Sequence, residues 1–117
     1  MRRISPREAH ALMAEGYAYV DVRSTVEFAI GRPQGALNVP LGGGDFVEDV
    51  RDLLGDDARV IVGCATGVRS LVAAQQLLAA GFTHVLEQRA GMDGVRDAFG
   101  RLKERGWRDE GLPVSED

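Results

Sequence analysis

Apolar positions along this chain follow two periods in alternation, and the alternation sets the expected fold. Residues 6–15 read as a helix with its own punctuation: Ser5 as N-cap, Pro6 at the first helical position, Glu8 closing a capping box, and Gly16 as the stop. Residues 17–22 are apolar or aromatic nearly throughout, as in a strand covered on both faces. Ser24 and Glu27 form a second capping box, opening a short helix that ends near Gly31. Arg32-Pro33-Gln34-Gly35 reads as a turn-rich connection, and residues 36–39 as a short strand stopped by Pro40.

Beyond the flexible joint Gly42-Gly43-Gly44, Asp45 caps a helix whose apolar positions, Phe46, Val47, Val50, Leu53 and Leu54, make one buried stripe. Gly55-Asp56-Asp57 is a turn, and residues 59–63 hold the strand core Val60-Ile61-Val62 with Cys64 at its end. Residues 69–80 predict a helix stopped by Gly81, with Leu71, Val72, Leu77 and Leu78 apolar and Gln75-Gln76 outward. Residues 82–86 read as a strand and residues 92–105 as a last helix weakened by Gly94 and Gly100. Alternation of this kind predicts an α/β fold, an open parallel sheet with helices on both faces.

Length adds that the 117 residues make one domain, with a core over residues 5–114 and a loose polar tail at 115–117. Fourteen Lys and Arg stand against 18 Asp and Glu, a net charge of −4, which argues against a nucleic-acid partner. Thirteen of the fourteen cations are arginine. No apolar run reaches the ~18 residues that a membrane span needs. Met1-Arg2-Arg3-Ile4 has charges with no apolar stretch behind them, unlike a signal peptide, so the expected location is the cytoplasm. Nothing in the chain demands more than a monomer.

The single cysteine excludes an internal disulfide framework and a Cys-based zinc site, and an unpaired thiol suits a reducing compartment. His10 and His84 cannot join it in a plausible metal cluster, and both read as packing or surface residues. Cys64 is nonetheless well placed for chemistry. In open parallel sheets ligands bind beyond the carboxyl ends of the strands, and Cys64 sits at such an end before a helix. The intervening loop, Ala65-Thr66-Gly67-Val68, is short and leads into a helix N-terminus, whose amides lack intrahelical partners and can converge on one spot. With the helix dipole and the charge of Arg69 nearby, a thiolate is favoured there and is a candidate nucleophile. The competing reading is a small core residue after a buried strand.

The run Cys64-Ala65-Thr66-Gly67-Val68-Arg69-Ser70 resembles the C-x-x-G-x-R-S active-site loop of single-domain rhodaneses, the sulfurtransferases. Asp21-Val22-Arg23 with Glu27-Phe28 is similar to that family's D-V-R-x-x-x-E-[FY] segment, and Gly31 with Gly35-Ala36-Leu37-Asn38-Val39-Pro40 to its G-x-x-x-G-A-x-N-[IV]-P segment. Trp107 and Gly111-Leu112-Pro113-Val114 resemble its usual ending, so the likeness spans about residues 5–114. The family usually has His-Ile where Arg32-Pro33 stand here, a tryptophan where Val95 stands, and a larger residue than Gly63 before the cysteine, a change that would open space behind the loop.

The resemblance implies a five-stranded rhodanese-like sheet and a two-step transfer without metal or organic cofactor. Cys64 takes sulfur from a small donor such as thiosulfate, holds it as a persulfide, and passes it to cyanide, a thiol or a small redox protein. Ala65, Thr66, Gly67, Val68 and Arg69 form the substrate-binding loop, supported by Asp21, Arg23 and Ser70. Asp21 could orient loop amides or pair with Arg69; the alternative is a structural charge network of Asp21, Arg23 and Glu27, with Glu27 mainly a cap. Arg69 either faces the substrate anion or braces the loop, leaving an anionic donor to the amides, Arg69, and Arg32 or Arg89. Met92 and Phe99 are read as core or pocket wall. Two other functions stay open: a non-catalytic binding or sulfur-sensing module, and a cysteine phosphatase. The latter has five residues between cysteine and arginine, whereas four separate Cys64 from Arg69, a ring that suits one sulfur atom better than a phosphate.

Overall fold

The computed structural model describes residues 1–116. Its elements in chain order are β1 (Arg2–Ile4), α1 (Pro6–Met13), β2 (Ala18–Asp21), α2 (Thr25–Ile30), β3 (Arg32–Pro33), β4 (Leu37–Asn38), α3 (Phe46–Leu54), β5 (Arg59–Gly63), α4 (Val68–Ala79), β6 (His84–Gln88), β7 (Val95–Arg96), β8 (Leu102–Glu104) and β9 (Val114–Ser115). Five of the strands form one parallel sheet in the order β1-β6-β5-β2-β4. The expected α/β sheet is therefore present, with helices on both faces.

Both expected capping boxes form. Ser5 Oγ accepts from Glu8 N–H at 3.1 Å while Ser5 N–H donates to Glu8 Oε1 at 3.0 Å, and Ser24 and Glu27 repeat the pattern at 3.2 and 3.0 Å. Caps of this kind contribute about 1 kcal/mol each.

The pleat divides the core in two. Val20, Val60 and Val62 pack with Phe46 and Val50 of α3 and with Ala73, Ala74 and Leu77 of α4. Tyr19 and Ile61, one residue out of step, pack on the other face with Ala9 of α1, Met92 and Trp107. The buried stripe of α4 is Ser70, Ala73, Ala74 and Leu77, all but the last of them small, whereas Val72 and Leu78 face solvent. Close approach of α4 to the sheet brings its first turn against the end of β5.

Five expectations change. The chain opens with a strand rather than a helix. β1 is three residues long with two arginines, and its one buried side chain is Ile4. Arg32–Pro33 is not merely a turn, since it pairs antiparallel with Val114–Ser115, so Ser115 belongs to a strand and not to a loose tail. The expected location of Asp117 in that tail lies outside the described residues. Residues 92–105 form no helix but a turn and a β7–β8 hairpin. Gly91, Gly94 and Gly100 have φ of +64°, +84° and +79°, a region a right-handed helix cannot use. Asp97 closes the hairpin tip, its Oδ1 accepting from the amides of Phe99 and Arg101 at 2.8 and 2.9 Å. Phe99 therefore sits at an exposed tip, 83% accessible, rather than in a core or pocket wall, while Met92 is buried.

Candidate active site

Cys64 follows the last residue of β5, and two hydrogen bonds continue the ladder beside it: Val22 N–H donates to Gly63 O at 2.9 Å, and Met92 N–H donates to Cys64 O at 2.9 Å. The side chain is 2% exposed and borders the α3–α4 core. Its sulfur is not left among hydrocarbon. Gly67 N–H donates to Sγ at 3.1 Å, Ser70 N–H donates at 3.4 Å, and Sγ lies 3.3 Å from Ser70 Oγ. Amide hydrogens thus converge on the sulfur. Two of the three partners come from Ser70, which the sequence placed in a supporting role.

Gly67 makes the turn possible. Its φ is +90°, and a Cβ there would lie 2.1 Å from Arg89 O. The loop is pinned from the β6 side as well. Asp93 N–H donates to Ala65 O at 2.9 Å, and a Cβ on Gly91 would fall 2.2 Å from that oxygen. The turn carrying Gly91 and Asp93 is held in turn by Trp107, whose amide donates to Gly91 O at 2.9 Å and whose Nε1–H donates to Pro113 O at 2.8 Å. Trp107 is fully buried, edge-on to Tyr19 at 5.6 Å and to His10 at 5.7 Å. Burial of one indole in the C-terminal segment thereby fixes the carbonyl side of the cysteine loop.

The remaining loop side chains divide. Ala65 is half-buried, Thr66 and Val68 face solvent, and Arg69 turns aside to Glu27, with Nη1–Oε1 at 2.7 Å and Nη2–Oε2 at 3.0 Å. This pair holds the Glu27 carboxyl at about 2, well below its usual value. Of the two roles open to Arg69, the geometry is that of a brace. Asp21 pairs with Arg23 and not with Arg69: both are buried, Arg23 Nη2 reaches Asp21 Oδ2 at 2.7 Å, and the same nitrogen donates to Gly31 O at 2.6 Å. Asp21, Arg23 and Glu27 are thus all engaged by protein groups, and Glu27 makes more than its cap. The two other arginines considered for an anionic donor are also engaged. Arg89 bonds Glu104 at 2.8 Å, and Arg32 lies over the Phe28 ring at 4.5 Å. His84 is exposed on β6.

Two clefts flank the loop. One, of about 370 Å³, is lined by Thr66, Val68, Asp93, Gly94, Val95 and Arg96. The other, of about 480 Å³, is lined by Val22, Ser24, Thr25, Pro40, Gly42, Gly43 and Arg69. Val95, which stands where the family usually has a tryptophan, thus lines the first of these clefts. The space expected behind Gly63 is filled. A Cβ on Gly63 would lie 1.9 Å from Tyr19 Oη, so the small residue answers to a large neighbour. That hydroxyl accepts from Gln88 Nε2 at 3.3 Å, and burial followed by the nearby Asp21 charge pushes its pKa well up.

Glu87 is the residue that sequence reasoning missed. Fully buried on β6, it receives hydrogen bonds from Ser70 Oγ and Arg3 Nε, each at 2.5 Å. The strand was expected to end at Leu86, and a glutamate inside an otherwise buried parallel strand was the available signal. No helix among the described residues is long and apolar enough to cross a membrane.

Comparison with known proteins points one way. The family described as Rhodanese-like domain matches residues 5–98. The chain is 38% identical over 120 residues to thiosulfate sulfurtransferase 16, chloroplastic, of Arabidopsis thaliana, covering 95% of this chain and 90% of that protein. It is 32% identical over 93 residues to the thiosulfate sulfurtransferase GlpE of Haemophilus influenzae, covering 80% and 86%. Among solved structures, Rv0390 from M. tuberculosis superposes with a TM-score of 0.83 at 28% identity, over 100% of this chain and 98% of that one.

Proposed function

This chain belongs to the rhodanese-like domain family, whose relatives here include thiosulfate sulfurtransferases, and we propose that it moves sulfane sulfur through a persulfide on Cys64. The observation that carries this reading is the placement of Sγ, 3.1 and 3.4 Å from two inward amides at the end of β5 and at the base of a loop flanked by two clefts.

In the first step the Cys64 thiolate attacks the outer sulfur of a donor such as thiosulfate. A bond forms from Sγ to that sulfur, the donor's S–S bond breaks, and its electron pair leaves on sulfite. Cys64 then carries an anionic persulfide. In the second step cyanide or a thiolate attacks the outer sulfur, and the electron pair of the breaking bond returns to Sγ. Loop amides other than those of Gly67 and Ser70 make no bond to Sγ, so the backbone of Ala65, Thr66, Val68 and Arg69 is free to face the outer atom, as an oxyanion hole faces oxygen. With Arg69 committed to Glu27, the anion is met mainly by backbone dipoles. That also speaks against a phosphatase, which needs its arginine on the oxyanion.

The exposed rim at Thr66 and Val68 leaves room for a small donor, and for a thiol acceptor or a small redox protein. A monomer in a reducing compartment such as the cytoplasm suits the lone thiol. Transfer from thiosulfate to cyanide tests the reading. Cys64→Ala abolishes it while the circular dichroism of the fold is kept, whereas appreciable turnover in that variant contradicts the assignment.

A further inference from the structure

The transfer chemistry above makes no use of Glu87, although it is a fully buried carboxylate one residue from the end of β6. Its two oxygens are separately occupied. Oε1 accepts from Arg3 Nε and Oε2 accepts from Ser70 Oγ, both at 2.5 Å. A serine hydroxyl has one proton, and the Glu87 carboxylate, ion-paired with Arg3, accepts. Ser70 therefore directs its proton to Glu87, and its lone pairs are what face Cys64 Sγ at 3.3 Å. That contact is a hydrogen bond when the proton sits on sulfur, and it is lost when the thiolate forms.

We propose that Glu87 is a positioning residue for sulfur transfer which, acting through the Ser70 hydroxyl, holds an acceptor rather than a donor against Cys64 and so keeps the thiolate basic and strongly nucleophilic. The proposal rests on the reading of Cys64 as the sulfur carrier. The two loop amides favour the thiolate, and the Ser70–Glu87 pair opposes them by favouring the thiol. The balance matters because nucleophilicity toward sulfur rises with the basicity of the attacking thiolate, with a Brønsted slope of about 0.4–0.5. Before attack the thiol proton leaves to water; none passes to Glu87.

Direct repulsion between Glu87 and the thiolate is damped because Arg3 neutralises the carboxylate. The direction of the Ser70 hydroxyl is then the main lever. The other charged and titratable groups around the pair are Tyr19 and the Asp21–Arg23 ion pair from β2, the Arg69–Glu27 pair joining α4 to α2, and Asp93 after β6. All stay in place in the variants below. In Glu87→Gln, Arg3 attracts the amide oxygen, so the amide NH₂ faces Ser70. It can only donate, and the Ser70 hydroxyl turns its proton toward sulfur.

The test is the rate of Cys64 alkylation by iodoacetamide as a function of pH, which reports the thiol whether or not the protein transfers sulfur. In Glu87→Gln the midpoint falls by about one pH unit, and the high-pH plateau falls with it because the thiolate is less basic. Ser70→Ala alone, which deletes the hydroxyl and keeps the charge of Glu87, decides by sign. It lowers the midpoint if Ser70 accepts from the thiol, and raises it if Ser70 donates to the thiolate, which would overturn the proposal. In the Ser70→Ala background, Glu87→Gln then moves the midpoint by less than a third of its original shift. A full-sized shift there would show that Glu87 acts through space and not through Ser70, and would contradict the proposal. Absence of a thiosulfate-derived persulfide in the unmodified protein would instead overturn the reading of Cys64, a separate result on a separate measurement.

Discussion

Glu27 and Arg69 meet in a two-point ion pair that ties α2 to the first turn of α4, immediately beside the cysteine loop. The same Glu27 closes the cap of its own helix, with Oε1 accepting from Ser24 N–H at 3.0 Å. One carboxylate thus fixes the start of α2 and engages the guanidinium of Arg69 at the edge of the cleft that Arg69 lines.

The sign of its contribution to stability follows from its depressed pKa. The Arg69 hydrogen bonds, with smaller help from Ser24, hold the carboxyl at about 2 against an ordinary 4.5. Stability from this pair is therefore complete above pH 4.5 and is lost as pH falls through 2. Because both side chains are partly exposed, the gain is at most about 1 kcal/mol. Glu27→Gln keeps the capping box, so chemical unfolding of the two proteins differs at pH 7 and converges near pH 2. A gap that persists in acid would show that the pair is not its source.

Asp21→Asn is far more damaging. It leaves Arg23, with 4% of its side chain exposed, without its counter-charge beside Gly31 O. Breaking a buried pair on one side costs about 3–5 kcal/mol, which denaturant unfolding will register as a lower midpoint. A loss under about 1 kcal/mol would place this pair with the solvated surface ones.

Gly63 and Tyr19 form a size-matched couple. Gly63→Ala forces a methyl group onto the Tyr19 ring and costs about 1–3 kcal/mol by overpacking. Tyr19→Leu carries its own cavity cost, yet the double variant loses less than the sum of the two, because the leucine vacates the space that the methyl requires. Strict additivity in a double-mutant cycle would contradict the match.

What the sequence made legible was local. Strand, cysteine, glycine and helix are contiguous from residue 59 to 79, and short-range rules place them: β5 spans Arg59–Gly63 as expected, and α4 begins one residue early. The two capping boxes are equally local and both form. The partner of Arg69 was harder, since Glu27 lies 42 positions away and could be read as a cap alone. Glu87 reaches Ser70 across 17 positions by the pairing of β5 with β6, which no local pattern encodes. The expected last helix failed for a different reason. Its apolar spacing was compatible with a helix, but the chain packs so closely there that a Cβ on Gly91 would lie 2.2 Å from Ala65 O and one on Gly106 2.3 Å from Gly94 N. Those tertiary approaches override a weak helical preference. Gly63 stood out in the sequence but was read as opening space, because Tyr19, which fills that space, becomes its neighbour only once β2 lies beside β5.

The central claim is that amides at the end of β5 make Cys64 a carrier of one extra sulfur. Intact-mass measurement after incubation with thiosulfate tests it most directly. The account predicts a gain equal to one sulfur atom, located on Cys64, erased by cyanide and absent in Cys64→Ala. A protein that shows no such gain under conditions where Cys64 is readily alkylated would contradict it.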